Sequence, residues 1–184
     1  MQESARDRAS GRRLGRGMIA IGMSLFVVAI VGHVIGLRLN LTSSIPPGIY
    51  RVTDGPVAKG AIVIACLPAE ASAFAASRGF VPHGGCPDGR SPIGKTVAAI
   101  SGDSVHVADE GIRVNGRLIP NSRPLERDSH DRSLPRLAPG HYLVPPGHVW
   151  LVSSYSPRSY DSRYFGAIPD SLLVSRVRPV LRFR

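Results

Sequence analysis

The sequence predicts a mainly β, barrel-like domain carried on an N-terminal transmembrane helix. Three observations predict it. Short apolar runs recur from residue 38 onward, broken by Gly and Pro, of which the chain has 20 and 16. Tight-turn pairs such as Asn115-Gly116 fall between those runs. The stretch from Gly17 to Leu37 contains no Asp, Glu, Lys or Arg.

The N-terminal residues 1–16 form a basic tail, with Arg6, Arg8, Arg12, Arg13 and Arg16 against Glu3 and Asp7. The uncharged run 17–37 is about 30 Å long as a helix, enough to cross a bilayer core. Basic residues before such a span predict a cytoplasmic N-terminus and an exported remainder. A cleaved signal peptide is the rival reading. The run is long and no small-x-small site follows it, which favours an uncleaved signal anchor. Residues 38–184 are then one compact domain.

Strands are expected at Gly48–Val52, Ala61–Ala65, Thr96–Ile100, Ser104–Val107, Ile112–Val114, Arg117–Ile119, Tyr142–Val144 and His148–Val152. Ala108 to Gly111 reads as a hairpin connection and Asn115-Gly116 as a second tight turn. One short helix is expected over Pro68–Arg78, with Gly79 as its C-terminal cap. Arg123 to Pro139, polar, basic and proline-bearing, reads as a long surface loop.

The net charge is +10 and the pI about 10.7. Part of that charge is the tail, and the rest is scattered, with no basic helix face or aromatic-basic motif for RNA. Nucleic acid is therefore excluded as a partner, and anionic lipid headgroups of a bilayer are the simpler attraction. Cys66 and Cys86 are the only cysteines. In an exported domain such a pair reads as a disulfide worth about 3 kcal/mol, with two reduced buried thiols as the alternative. Their spacing does not make a zinc site.

Only two lysines occur, Lys59 and Lys95, in a chain whose other basic positions are arginine. Arginine cannot lose its proton, whereas a buried lysine can be neutralised and act as a general base. Lys95 lies in the apolar run Ile93-Gly94-Lys95-Thr96-Val97-Ala98-Ala99-Ile100, where a desolvated amine would sit. Lys59, in Pro56-Val57-Ala58-Lys59-Gly60, reads as a turn lysine in water. Just past the apolar run, Pro46 and Pro47 stiffen the chain after Ser43 and Ser44. Leu37 to Ser44 spans at most ~25 Å, so Ser44 would be held near the bilayer surface. A Ser-His-Asp arrangement is disfavoured, because no Gly-x-Ser-x-Gly elbow is present. Asp128, His130 and Asp131 could meet a metal, but their Arg-rich loop argues against one. No cofactor is called for.

Three segments, in this order, carry a resemblance. They are Ser44-Ile45-Pro46, Lys95-Thr96-Val97-Ala98-Ala99-Ile100-Ser101-Gly102-Asp103, and Ser159-Tyr160-Asp161-Ser162-Arg163-Tyr164-Phe165-Gly166. Together they resemble the type I signal peptidase family of Ser-Lys proteases. Within it, the Ser44-to-Tyr50 opening and the pair Cys86-Pro87 are most similar to the conjugative-transfer subgroup. The resemblance implies a signal-peptidase β fold anchored in the bacterial inner membrane with a periplasmic catalytic domain. It implies Ser44 as nucleophile, Lys95 as general base and Asp161 as the acid needed for full activity. Ser159 would orient the amine, Arg163 would pair with Asp161, and Thr42 would assist the Ser44 amide in binding an oxyanion. The implied substrate is an exported precursor, a conjugative pilin or a signal-peptide-bearing protein, cleaved or closed into a ring. A general signal peptidase and a non-catalytic envelope scaffold remain as alternatives. Thr96 and Ser101 depart from the family's Arg and Pro, and Ser153-Ser154-Tyr155-Ser156 replaces its Gly-Asp-Asn loop. None of these changes removes a proton-transfer group.

Overall fold

The computed structural model describes residues 3–183, and the side chains of residues 18, 19 and 21–183. The chain divides into two compact units, Met1–Arg38 and Leu39–Arg184.

The first unit carries the helix α1 (Glu3–Val34), which extends beyond the apolar stretch into the basic tail. Leu25, Phe26, Val27 and Val28 are all exposed, so its apolar surface runs around the axis and not along one stripe. Arg38 Nη1 donates to the carbonyls of His33 (3.1 Å) and Leu37 (2.9 Å), a fitting role for a cation at a helix C-terminus. Among the described residues, no helix is long and apolar enough to cross a membrane. The expected anchor includes residues 17 and 20, whose side chains lie outside those described.

The remaining elements are β1 (Leu37–Asn40), β2 (Gly48–Thr53), β3 (Ile62–Ala65), α2 (Ala69–Ser77), β4 (Ile93–Ile100), β5 (Ser104–Ala108), β6 (Gly111–Val114), β7 (Arg117–Leu118), β8 (Gly140–Leu143), β9 (His148–Leu151), α3 (Ser162–Phe165), β10 (Ile168–Pro169), a 3-10 turn (Asp170–Leu172) and β11 (Leu173–Arg182). A seven-stranded sheet has the order β1-β2-β11-β3-β4-β9-β10, and a four-stranded sheet the order β7-β6-β5-β8. The large sheet keeps two edges, β1 and β10, so the barrel-like expectation becomes an open, half-barrel sheet.

Local chemistry explains most elements. In the β5–β6 hairpin Ala108 pairs with Gly111, leaving Asp109 and Glu110 as its two-residue turn. Asn115 (φ 48°) and Gly116 (φ 82°) both take positive φ, as the β6–β7 turn requires. Gly79 (φ 74°) follows α2 and closes it. Beyond the single short helix expected, the structure adds α3 and the 3-10 turn. Each is too short to leave a periodic pattern. It also adds β11, whose arginines alternate with apolar residues. No strand is expected there from the sequence, but pairing with both β2 and β3 makes it an internal strand.

The core has contiguous parts. Val63, Ala65, Val97, Val149, Leu151 and Ile168 fill one side of the large sheet. Trp150, Val105, Val107 and Ile112 join the two sheets. Ile45, Tyr50 and Val177 anchor the β1–β2 connection. Cys66 and Cys86 are joined, with Cα atoms 5.8 Å apart, and tie α2 to the chain entering β4. The loop 123–139 carries only the isolated bridge Arg127–Ser133 and wraps Asp128, which receives Arg132 Nε at 2.8 Å. Lys59 lies in an exposed turn, as expected, and its Nζ is 2.8 Å from Asp103 Oδ1. Asp103 also accepts from the Ile100 amide and from Asn115 Nδ2, pinning the β4–β5 corner to the small sheet.

Candidate active site

β4 presents every second side chain to the interior. Lys95, Val97 and Ala99 occupy the three buried positions from residue 95 onward. A lysine therefore stands where the strand's own period calls for a core residue. Lys95 is 2 % exposed. Its Nζ lies 2.6 Å from Ser44 Oγ and 2.8 Å from Ser159 Oγ. These hydroxyls come from segments 51 and 64 residues away.

Ser44 sits in the turn between β1 and β2. Ile45, next to Pro46 and thereby biased to extended backbone, drives its side chain into the core at 2 % exposure. There it packs over Gly94, where an added Cβ would come within 3.1 Å of Ile45 Cδ1. The small residue beside Lys95 thus lets the Ser44 turn approach the strand. Tyr50 Oη donates to the Pro46 carbonyl at 2.6 Å and holds the far side of the turn.

Asn40, which the sequence reading left without a role, closes the near side. Its Oδ1 accepts from the Thr42 amide (3.2 Å) and Thr42 Oγ1 (2.7 Å). Its Nδ2 donates to the carbonyls of Thr42 (2.9 Å), Ile45 (3.1 Å) and Pro46 (3.2 Å). An Asn two residues before a Thr is a known turn-former and was the available signal. The Thr42 hydroxyl thus donates to Asn40 in this structure.

Behind Lys95 lies a buried ion pair. Arg163 and Asp161 are both fully buried. Arg163 Nε and Nη2 grip the two carboxylate oxygens at 2.8 Å each, a fork that lysine could not reproduce. Nη2 also donates to the Ser159 carbonyl (2.8 Å), fixing the residue whose hydroxyl meets Lys95. Nη1 donates to the carbonyls of Asn121 (2.9 Å) and Pro157 (3.0 Å). The Ser153 amide supplies Asp161 with a further donor at 3.0 Å. Asp161 makes no hydrogen bond to Lys95 among the described residues, so its influence on the amine is electrostatic.

These surroundings set the charge of the amine. Burial lowers the Lys95 pKa from 10.5 to about 8; Asp161 opposes that and Arg163 adds to it. Arg163 pairs with Asp161, and the carboxylate only partly offsets the effect of burial on the amine. The arrangement offers a serine hydroxyl in contact with an amine that loses its proton near neutrality. At pH 7.5 about a quarter of such amines are neutral, against about one in a thousand for an ordinary lysine.

The histidines lie elsewhere. His106 and His141 stack on each other across β5 and β8 at 4.3 Å, and among the described residues no histidine hydrogen-bonds to Ser44.

The family described as signal peptidase, peptidase S26, matches residues 12–181. The chain belongs to that family. Its relatives include a plasmid transfer protein TraF of Escherichia coli, 39% identical over 172 residues, covering 92% of this chain and 96% of that one. A conjugal transfer protein TraF of Agrobacterium tumefaciens (strain 15955) is 42% identical over 167 residues, covering 88% and 93%. A solved signal peptidase I from Enterococcus faecalis V583 overlaps 67% of this chain and 97% of its own, at 16% identity and a TM-score of 0.38, a likeness too distant to argue from. Membership in S26, with TraF proteins as relatives, supports a peptidase. Ser44, Lys95 and Ser159 fall in segments that the sequence alone singles out.

Proposed function

We propose that this S26 chain is a membrane-anchored serine endopeptidase in which Ser44 is the nucleophile and Lys95 the general base. The observation that carries this reading is the 2.6 Å contact between Ser44 Oγ and the Nζ of a lysine only 2 % exposed. Neutral Lys95 takes the Ser44 proton as Oγ attacks a peptide carbonyl, giving a tetrahedral oxyanion. Backbone N–H groups of the Ser44 turn stabilise that oxyanion. The ammonium then returns the proton to the leaving amine as the C–N bond breaks, leaving an acyl-Ser44 ester. Water, or the N-terminal amine of the chain still held as the Ser44 ester, attacks that ester with Lys95 again as base and Ser44 Oγ as the leaving group. Water gives hydrolysis and an internal amine gives a ring. Ser159 orients the amine, while Asp161 and Arg163 set its pKa and hold Ser159.

The substrate in this reading is an exported precursor such as a conjugative pilin, a choice supported by relatives named as plasmid and conjugal transfer proteins. Residues 17–37 anchor the chain in the bacterial inner membrane, with residues 1–16 cytoplasmic and the domain from 38 periplasmic. The test is precursor processing in cells carrying Ser44→Ala, Lys95→Arg or Lys59→Arg. Processing lost in the first two and kept in the third supports the enzyme. Processing kept in all three leaves the non-catalytic scaffold.

A further inference from the structure

The turn that carries Ser44 is held from outside the Ser-Lys contact. Asn40 stands at the end of β1 and is half-buried. Its single amide group touches the chain on both sides of the serine. Oδ1 accepts the amide and hydroxyl of Thr42, two residues before Ser44. Nδ2 donates to the carbonyls of Ile45 and Pro46, one and two residues after it. The Pro46 carbonyl is shared with Tyr50 Oη at 2.6 Å. No other side chain hydrogen-bonds to both flanks of Ser44 among the described residues.

We infer that Asn40 is a positioning residue for the acylation step, a clamp that sets the Ser44 hydroxyl against Lys95 Nζ and the scissile carbonyl; the inference rests on Ser44 being the nucleophile. The clamp needs both arms. A carboxylate at position 40 keeps the acceptor arm toward Thr42 but sets oxygen against the Ile45 and Pro46 carbonyls. Alanine removes both. Misplacing a nucleophile by about 1 Å costs up to about 100-fold in rate, and the hydrogen bonds of the Asn40 side chain all go to the turn itself.

The experiment uses the full chain in detergent micelles with a precursor peptide, and compares Asn40→Ala, Asn40→Asp, Tyr50→Phe and the pair Asn40→Ala/Tyr50→Phe. Asn40→Ala is expected to lower kcat by about 10–100-fold with KM within about threefold of the parent. Asn40→Asp should recover little of it. The double variant should fall short of the product of the single effects on kcat, because both side chains hold one carbonyl. A wild-type kcat in folded Asn40→Ala overturns the inference, as does a loss confined to KM or to Tm. If Asn40→Ala does not fold, the kcat of Asn40→Asp decides in the same way. Ser44→Ala separates this inference from its premise. If Ser44→Ala still cleaves, the nucleophile assignment fails. If Ser44→Ala is inactive while Asn40→Ala keeps full kcat, only the clamp fails.

Discussion

The stability of Lys95→Met relative to the parent should be highest near neutrality and fall as pH rises. Methionine keeps an unbranched chain of similar length and removes the amine. The folded Lys95 pKa is about 8 against an ordinary 10.5. Between those values the unfolded chain binds more protons than the folded one, so the parent gains stability with pH. Below pH 8 the parent carries the full cost of a buried ammonium. At about 1.4 kcal/mol per pH unit that cost is about 3 kcal/mol, of which about 2.5 kcal/mol is relieved between pH 7 and 10. The variant lacks the group and every other ionisable residue is shared. The difference in unfolding free energy between the two should therefore change by that amount, whatever constant offset the lost contacts to Ser44 and Ser159 contribute. Urea unfolding of both full-length chains in micelles at pH 7, 8.5 and 10 measures it. A difference that stays constant across the range would refute the reasoning.

Other outcomes follow from the same geometry. Asp161→Asn removes the charge that raises the Lys95 pKa, so the midpoint of residual activity should move below about 8; Arg163→Met should move it up, in both cases read from pH–rate profiles. Each change leaves one fully buried charge without its partner and should cost about 3–5 kcal/mol in denaturant unfolding. Cys66→Ser/Cys86→Ser opens a bridge closing 20 residues of chain and should lose about 3 kcal/mol by the same assay, with cleavage retained where the variant is folded. Lys59→Met breaks only a half-exposed pair with Asp103 and should change stability by no more than about 1 kcal/mol and activity not at all.

The features legible in the sequence were those with local or compositional signatures. The hairpin turns at 109–110 and 115–116 and the helix ending at Gly79 follow from short-range backbone preferences and appear where expected. Lys95 stood out because lysine is scarce and its strand is apolar, and the structure buries it at a core position of β4. β11 was missed because its arginines mask an alternation that only pairing on both sides explains. Lys59 lies in an exposed turn as expected, but its partner, Asp103, 44 residues away, has no local signature. Asn40 was passed over for a different reason. Its motif is local, but its use depends on carbonyls beyond the serine turning back toward β1. The reach of Arg163 to Asn121 and Pro157 likewise needs the folded chain.

The most direct measurement is the pH dependence of single-turnover cleavage of a precursor by the full-length protein between pH 6 and 10. Ser44 activated by a neutral Lys95 predicts a rate that climbs about tenfold per pH unit at low pH, bends at about 8 and then levels, with no cleavage by Ser44→Ala. A rate indifferent to pH across that interval, or one whose bend falls near the ordinary histidine value, would contradict it.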